Sequence, residues 1–321
     1  MTSIEWTASD DGTEEGATWN PTTGCDRTSP GCDNCYALTM AKRLKGMGQA
    51  KYQCDGDPRT SGPGFGLTVH PDAVNLPLSW RKPKRIFVNS MSDLFHAAVP
   101  TPWLADIFAV MAAAPQHTFQ VLTKRHARMR SLLNDLAFQD QVKDRAEGKS
   151  LDPAGWQWPL PNVHLGVSAE DQHWADIRIP ALLDIPAAIR FVSAEPLLGP
   201  IDLQGELWGG CDEAGPALSH HGYSMRTDYG TGVEYDCDHE FGIDWVIAGG
   251  ESGPAARPCE LEWLRSLRDQ CAEWSVPFFC KQVGSVLGRE LGAGAKGNHW
   301  DAWPEDLRVR EFPRIAEGVP A

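Results

Sequence analysis

The sequence predicts an α/β protein whose parallel sheet curls into an open, partial barrel of six or seven strands. Three observations point to it. Short apolar runs that read as buried strands alternate with segments of helical period, the rhythm of parallel strands joined by crossover helices. Those runs repeatedly end in polar or charged residues, at the strand ends where parallel α/β barrels place their chemistry. The 321 residues also hold enough apolar side chains for one large core, a length such barrels fill as a single domain.

The first short strand leads into WNPTTGCDRTSPGCDNCYA, Trp19 to Ala37, and a helix follows from Tyr36 to Met47. A Gly/Pro-rich stretch, 56–66, reads as a surface loop with Cys54 incidental at its edge. The second strand, Ile86 to Val88, has Asn89, Ser90, Ser92 and Asp93 crowded at its end. Thr101 and Pro102 start a helix with proline near its first position. There Trp103, Leu104, Ile107, Phe108 and Met111 recur at helical spacing as a core stripe. The third strand, Phe119 to Leu122, runs into Lys124, Arg125, His126 and Arg128. Residues 139–158 are polar with interspersed Pro and Trp, and read as a helical tail and insertion.

The next two strands, Val163 to Val167 and Ile189 to Val192, both end in Ser-Ala-Glu, at Ser168 to Glu170 and Ser193 to Glu195. A sixth, Asp244 to Ala248, ends in Gly249, Gly250, Glu251, Ser252 and Gly253, with Arg257 just beyond. An amphipathic helix from Glu260 to Trp274 precedes the seventh, Pro277 to Cys280, which leads to Lys281 and Gln282. The pattern is TIM-barrel-like over residues 1–284, with an insertion at 203–242. Residues 285–321 are an extension expected to pack on the barrel, covering its open edge. The insertion lacks helical periodicity and carries Cys211, His220, His221, Cys237 and His239. It reads either as a second metal site or as a lid.

Lys and Arg number 29 against 43 Asp and Glu, a net charge of −14. That disfavours a non-specific nucleic-acid coat, which needs a basic surface. The opening residues carry no basic and apolar leader, and no run of about 18 apolar residues occurs. A cytoplasmic protein with no membrane partner and reduced thiols is expected. Its nine cysteines, where clustered, then favour metal over disulfides.

Cys25, Cys32 and Cys35 stand at Cys-x6-Cys-x2-Cys in a loop punctuated by Pro21, Gly24, Pro30 and Gly31. Three thiolates so close suit one soft metal centre. A structural zinc would want a fourth ligand. A four-iron cluster held by three cysteines keeps one iron open to an outside ligand.

Strand, three-cysteine loop and helix together resemble the opening of the radical S-adenosylmethionine (SAM) superfamily, and the longer pattern resembles a phage-encoded branch of it. The usual spacing there is Cys-x3-Cys-x2-Cys with an aromatic before the last cysteine. Here the first gap is longer and Asn34 precedes Cys35, with Tyr36 after it. The resemblance implies a [4Fe-4S] cluster on Cys25, Cys32 and Cys35, and SAM on its fourth iron. Reductive cleavage would give a 5′-deoxyadenosyl radical that takes a hydrogen atom from substrate. Asn89, Ser90 and Asp93 would serve the methionine moiety. Ser168, Glu170, Ser193 and Glu195 would accept from ribose and head group, and Gly249, Gly250 and Glu251 would approach the adenosine. Lys124, Arg125, Arg257 and Lys281 would hold a phosphate or carboxylate of the substrate, for which a nucleobase, nucleotide or nucleic acid is expected. An external electron donor of the flavodoxin or ferredoxin type is the implied partner. Two other readings stand beside this one: a non-catalytic metal-binding interaction protein, and a SAM-independent hydrolase or lyase using Glu170, Glu195 and Glu251.

Overall fold

Among the described residues, seven parallel strands, ordered as in the chain, form one curled sheet that stays open between its first and last members: a half-barrel. They are β1 (Glu15–Trp19), β4 (Lys84–Val88), β5 (Thr118–Thr123), β6 (Val163–Ser168), β7 (Ile189–Ala194), β8 (Trp245–Gly249) and β9 (Phe278–Gln282). Two short strands, β2 (Thr22–Thr23) and β3 (Thr68–Val69), pair antiparallel on either side of the first helix, α1 (Tyr36–Gly46), and a single turn, α2 (Pro71–Val74), follows; no sequence period announced the two strands. The computed structural model describes residues 4–7, 15–149, 152, 155–204 and 242–313. Cys211, His220, His221, Cys237 and His239, considered above for a second metal, lie outside the described residues.

Alternation sorts the strand residues onto two faces. On the convex face Trp19 pairs with Val88, Val88 with Val121 and Val121 with Leu165. Helices cover these rows: α3 (Thr101–Ala112), α4 (His126–Leu133), α5 (Leu136–Glu147), α6 (Gln172–Leu183) and α7 (Leu261–Glu273), all contributing to the main core. The stripe on α3 is core as expected, with Leu104, Ile107, Phe108 and Met111 buried. Asp135 and Asp171 cap α5 and α6 by accepting from the Ala137 and Trp174 amides, satisfying donors that a helix start leaves free. Within 139–158, the helical part is the end of α5.

On the concave face a second core, Trp6, Phe191, Trp245, Ile247 and Phe279, joined by Phe87, Leu122 and Phe312, plugs the barrel. Trp6 comes from a single 3-10 turn, Glu5–Thr7, and its ring packs on Phe87, Phe191 and Trp245. Several strands extend past their apolar runs to include Ser168, Ser193 and Lys281. The backbone ladder continues wherever a neighbour is there to pair, whatever the side chain.

Beyond β9, α8 (Ser285–Glu290) and an irregular segment return along the edge of the sheet. The Cys280 amide donates to the Val309 carbonyl and the Glu311 amide to the Phe278 carbonyl, each at 2.9 Å. The Arg310 guanidinium lies over the rings of Phe279, Trp300 and Trp303. The β9 edge is thereby capped against further strand pairing. Among the described residues no helix is long and apolar enough to cross a membrane.

Candidate metal centre

The cysteine loop leaves β1 at the C-terminal end of the sheet and is strung across the mouth of the half-barrel. Its first part is fixed to the end of β4. Gly24 and Met91 share a backbone hydrogen bond of 2.9 Å, and the Ser92 hydroxyl donates to the Gly24 carbonyl at 2.6 Å. Asn89 turns the chain there with φ of 59°, a left-handed conformation that asparagine tolerates. Asp26, beside Cys25, accepts from the Thr60 and Ser61 hydroxyls and pairs with His96 at 2.9 Å.

The second part reaches far across the sheet. The Ser29 hydroxyl donates to Glu170 at the end of β6 over 2.6 Å. The Arg257 guanidinium, beyond β8, donates to the Pro30 carbonyl at 2.9 Å. Asn34 donates to Glu251 at 3.0 Å and to the Ala255 carbonyl at 2.9 Å. The Tyr36 hydroxyl, opening α1 (Tyr36–Gly46), donates to the Ser90 carbonyl. Gly31 is required by contact, because a Cβ there would come within 2.3 Å of the Glu170 carboxylate.

All three loop cysteines are free and half-buried. Burial pushes the Cys25 thiol up to about 12, with Asp93 adding to the rise and Arg125 opposing it. Burial also pushes on Cys32, but the Lys124 charge and the amides of Thr28 and Ser29 outweigh it, holding the thiol below its ordinary value. Cys35 is raised by burial, against the first amides of α1, those of Ala37 and Leu38, and against Lys124. Helix N-terminal amides and an ammonium group trained on sulfur are what an anionic thiolate centre requires. Among the described residues, no three His, Cys, Asp or Glu side chains meet at a single metal ion. A cluster that takes each thiolate at a different iron does not ask them to. Three thiols in one loop are a donor set that fits an iron–sulfur cluster; Lys124 favours the thiolate at Cys32 and Cys35, while burial and Asp93 oppose it at Cys25.

Around the mouth the expected residues divide. Asp93 is fully engaged, accepting from the Thr123 hydroxyl at 2.7 Å and from the Phe95 and Lys124 amides at 3.0 Å. The Ser90 hydroxyl pairs with Asn20, and the Asn89 side chain accepts from the Thr22 amide. Glu170 is buried with Arg178 of α6 at 2.9 Å, and Lys124 approaches it at 3.5 Å. Glu251 takes Arg257 at 2.7 and 3.0 Å; burial alone would raise it, but Arg257 and Asn34 hold it below the usual carboxylate range. Glu195 takes Lys281 at 2.8 Å and Gln282 at 3.0 Å. Ser168 and Ser193 are buried on the strands below. Gly249 and Gly250 pack against β9, Gly250 so closely that a Cβ would come within 2.4 Å of the Val283 carbonyl. Arg125 donates to the Asp26 carbonyl at 3.2 Å.

Sequence reasoning missed Arg178, because an arginine on a helix reads as solvated and nothing local marks it as the partner of Glu170. It missed Ser29 as well. Asn34 did carry a signal: it stands where the resembled pattern has an aromatic, and here it spans to Glu251.

Fold and site together define a parallel half-barrel with a three-thiol loop laid over its C-terminal mouth. The chain belongs to the family described as a protein of unknown function, DUF5131, whose model matches residues 1–306. No curated protein and no solved structure matches it.

Proposed function

We propose that this protein is a radical SAM enzyme of the reducing cytoplasm, with a [4Fe-4S] cluster on Cys25, Cys32 and Cys35. The observation that carries this reading is the placement of three thiols at the C-terminal mouth of a parallel half-barrel, the face where such folds do chemistry, with Lys124 near Cys32 and Cys35 and the first α1 amides at Cys35. When bound, the cluster and SAM supply one-electron cleavage to methionine and a 5′-deoxyadenosyl radical. The protein's own residues hold the thiolates, exclude water with the aromatic plug beneath, and offer Glu195 and Lys281 on the rim. An outside donor of the flavodoxin or ferredoxin type supplies the electron.

Lys124 and Lys281, at the ends of β5 and β9, suit a phosphate-bearing substrate. With a net charge of −14, a nucleotide or a single unpaired base of a nucleic acid fits better than extended duplex contact. Anaerobic reconstitution with iron and sulfide, followed by dithionite and SAM, tests the reading. A brown protein that releases 5′-deoxyadenosine supports it. Colourless protein holding zinc, or activity in air without SAM, would reject it in favour of a structural metal or a hydrolase.

A further inference from the structure

Glu170 and Glu195 close identical Ser-Ala-Glu tripeptides on neighbouring strands, and Glu251 closes the strand after them. Their surroundings are not equivalent. Glu170 is 0% exposed, and its two oxygens are taken by Ser29 and Arg178. Glu251 is 5% exposed; one oxygen accepts from Asn34 and from the Arg257 amide and Nε, the other from the far end of the same guanidinium. Glu195 alone of the three has no hydrogen bond to the cysteine loop among the described residues, and accepts from Lys281 and Gln282.

We infer that Glu170 and Glu251 are positioning residues that clamp the cysteine loop across the mouth, and that they do not serve as acceptors for a bound ligand. This rests on the reading that the loop holds a metal centre. Ser29 lies three residues before Cys32, whose amide donates to the Ser29 carbonyl at 2.9 Å, and Asn34 directly precedes Cys35, so each clamp fixes backbone that carries one thiol. Each carboxylate is itself braced by an arginine, Arg178 from α6 and Arg257 from the segment after β8, which makes the grip stiff. A loop already ordered spares metal binding the conformational entropy of ordering it. The clamp is a form of preorganisation.

The test uses the metal-free full-length chain and reads the rate at which iodoacetamide alkylates each cysteine, resolved by peptide mass spectrometry. Removing Glu170 would strand Arg178 in the core, so the loop side of each contact is cut instead. Ser29→Ala and Asn34→Ala leave both ion pairs intact. Losing hydrogen bonds to two carboxylates should raise the alkylation rate of Cys32 and Cys35 about tenfold or more, with Ser29→Thr restoring the wild-type rate at Cys32. The buried Cys271 and Cys280 should stay as protected as in the wild type. Unchanged rates at Cys32 and Cys35 would overturn the clamp, and so would an equal rise at Cys271 and Cys280, which would mean general loosening. Because no metal is present, failure here leaves the cluster reading standing. A colourless reconstituted protein would remove the cluster without touching the clamp.

Discussion

The two ends of the half-barrel are built from the same strands in opposite ways. At the N-terminal end the concave face is closed by aromatic rings, Trp6, Phe87, Phe191, Trp245 and Phe279. At the C-terminal end it is closed by a loop held down through carboxylates, two arginines and an asparagine. The dry end gains stability from area removed from water and needs no partner geometry. The polar end has desolvated charge, which is stable only when each group is met. The difference teaches that an apolar seal and a polar one can be built on the same strands; on the proposed reading, a substitution at one end should move stability and spare metal binding, and the reverse at the other.

The largest effects expected come from the loop. Replacing Cys25, Cys32 or Cys35 by alanine should reduce bound iron and 5′-deoxyadenosine release to background while leaving the urea unfolding midpoint near that of the metal-free wild type. At the other end, Trp245→Ala should cost about 3–5 kcal/mol of stability by opening a large cavity. Iron bound per folded molecule should not change, and a drop in it would break the separation.

Arg178→Met sits between the two regimes. It leaves the buried Glu170 with only the longer Lys124 contact, at 3.5 Å, to meet its charge, and denaturant titration should show a loss of about 3 kcal/mol. Because it also removes a brace of the loop, alkylation at Cys32 should rise with it.

His164 on β6 sharpens the contrast by pH. Burial, with Arg85 adding to it, holds its imidazole at about 3, against an ordinary value of 6.5. The folded state therefore keeps it neutral while the unfolded chain takes up a proton as pH falls below 6.5. Stability on this account is fully present above 6.5 and declines toward 3, by about 1.4 kcal/mol per pH unit. Urea unfolding at pH 7 and pH 5 should cost the wild type about 2 kcal/mol more than His164→Leu.

The smallest effect belongs to the surface. Asp306 is held at about 2 by Arg265 and Arg268, so what it contributes is present above the ordinary 3.8 and lost as pH falls toward 2. As an exposed group its replacement by asparagine should change stability by less than about 1 kcal/mol.

Much of the fold was legible because its signals are local. Phe119 to Leu122 is an apolar run between turn residues, and α7 shows its stripe directly, with Leu264, Leu267 and Cys271 buried. The cysteine spacing was equally plain. Trp6 was not, since a single turn has no period to detect, and it finds its place only when the sheet curls around it. Nor could Glu170 be told from Glu195. The tripeptides are identical, and what separates them is a loop that begins near the other end of the chain.

Sequence alone determined the strand rhythm, the polar strand ends and three thiols in one loop, because periodicity and spacing are properties of neighbours along the chain. The tertiary structure decided which cation meets which carboxylate and which carboxylates grip the loop. Asn34 and Glu251 are 217 residues apart, and only the curl of a seven-stranded sheet brings a hydrogen-bonding pair together over that distance.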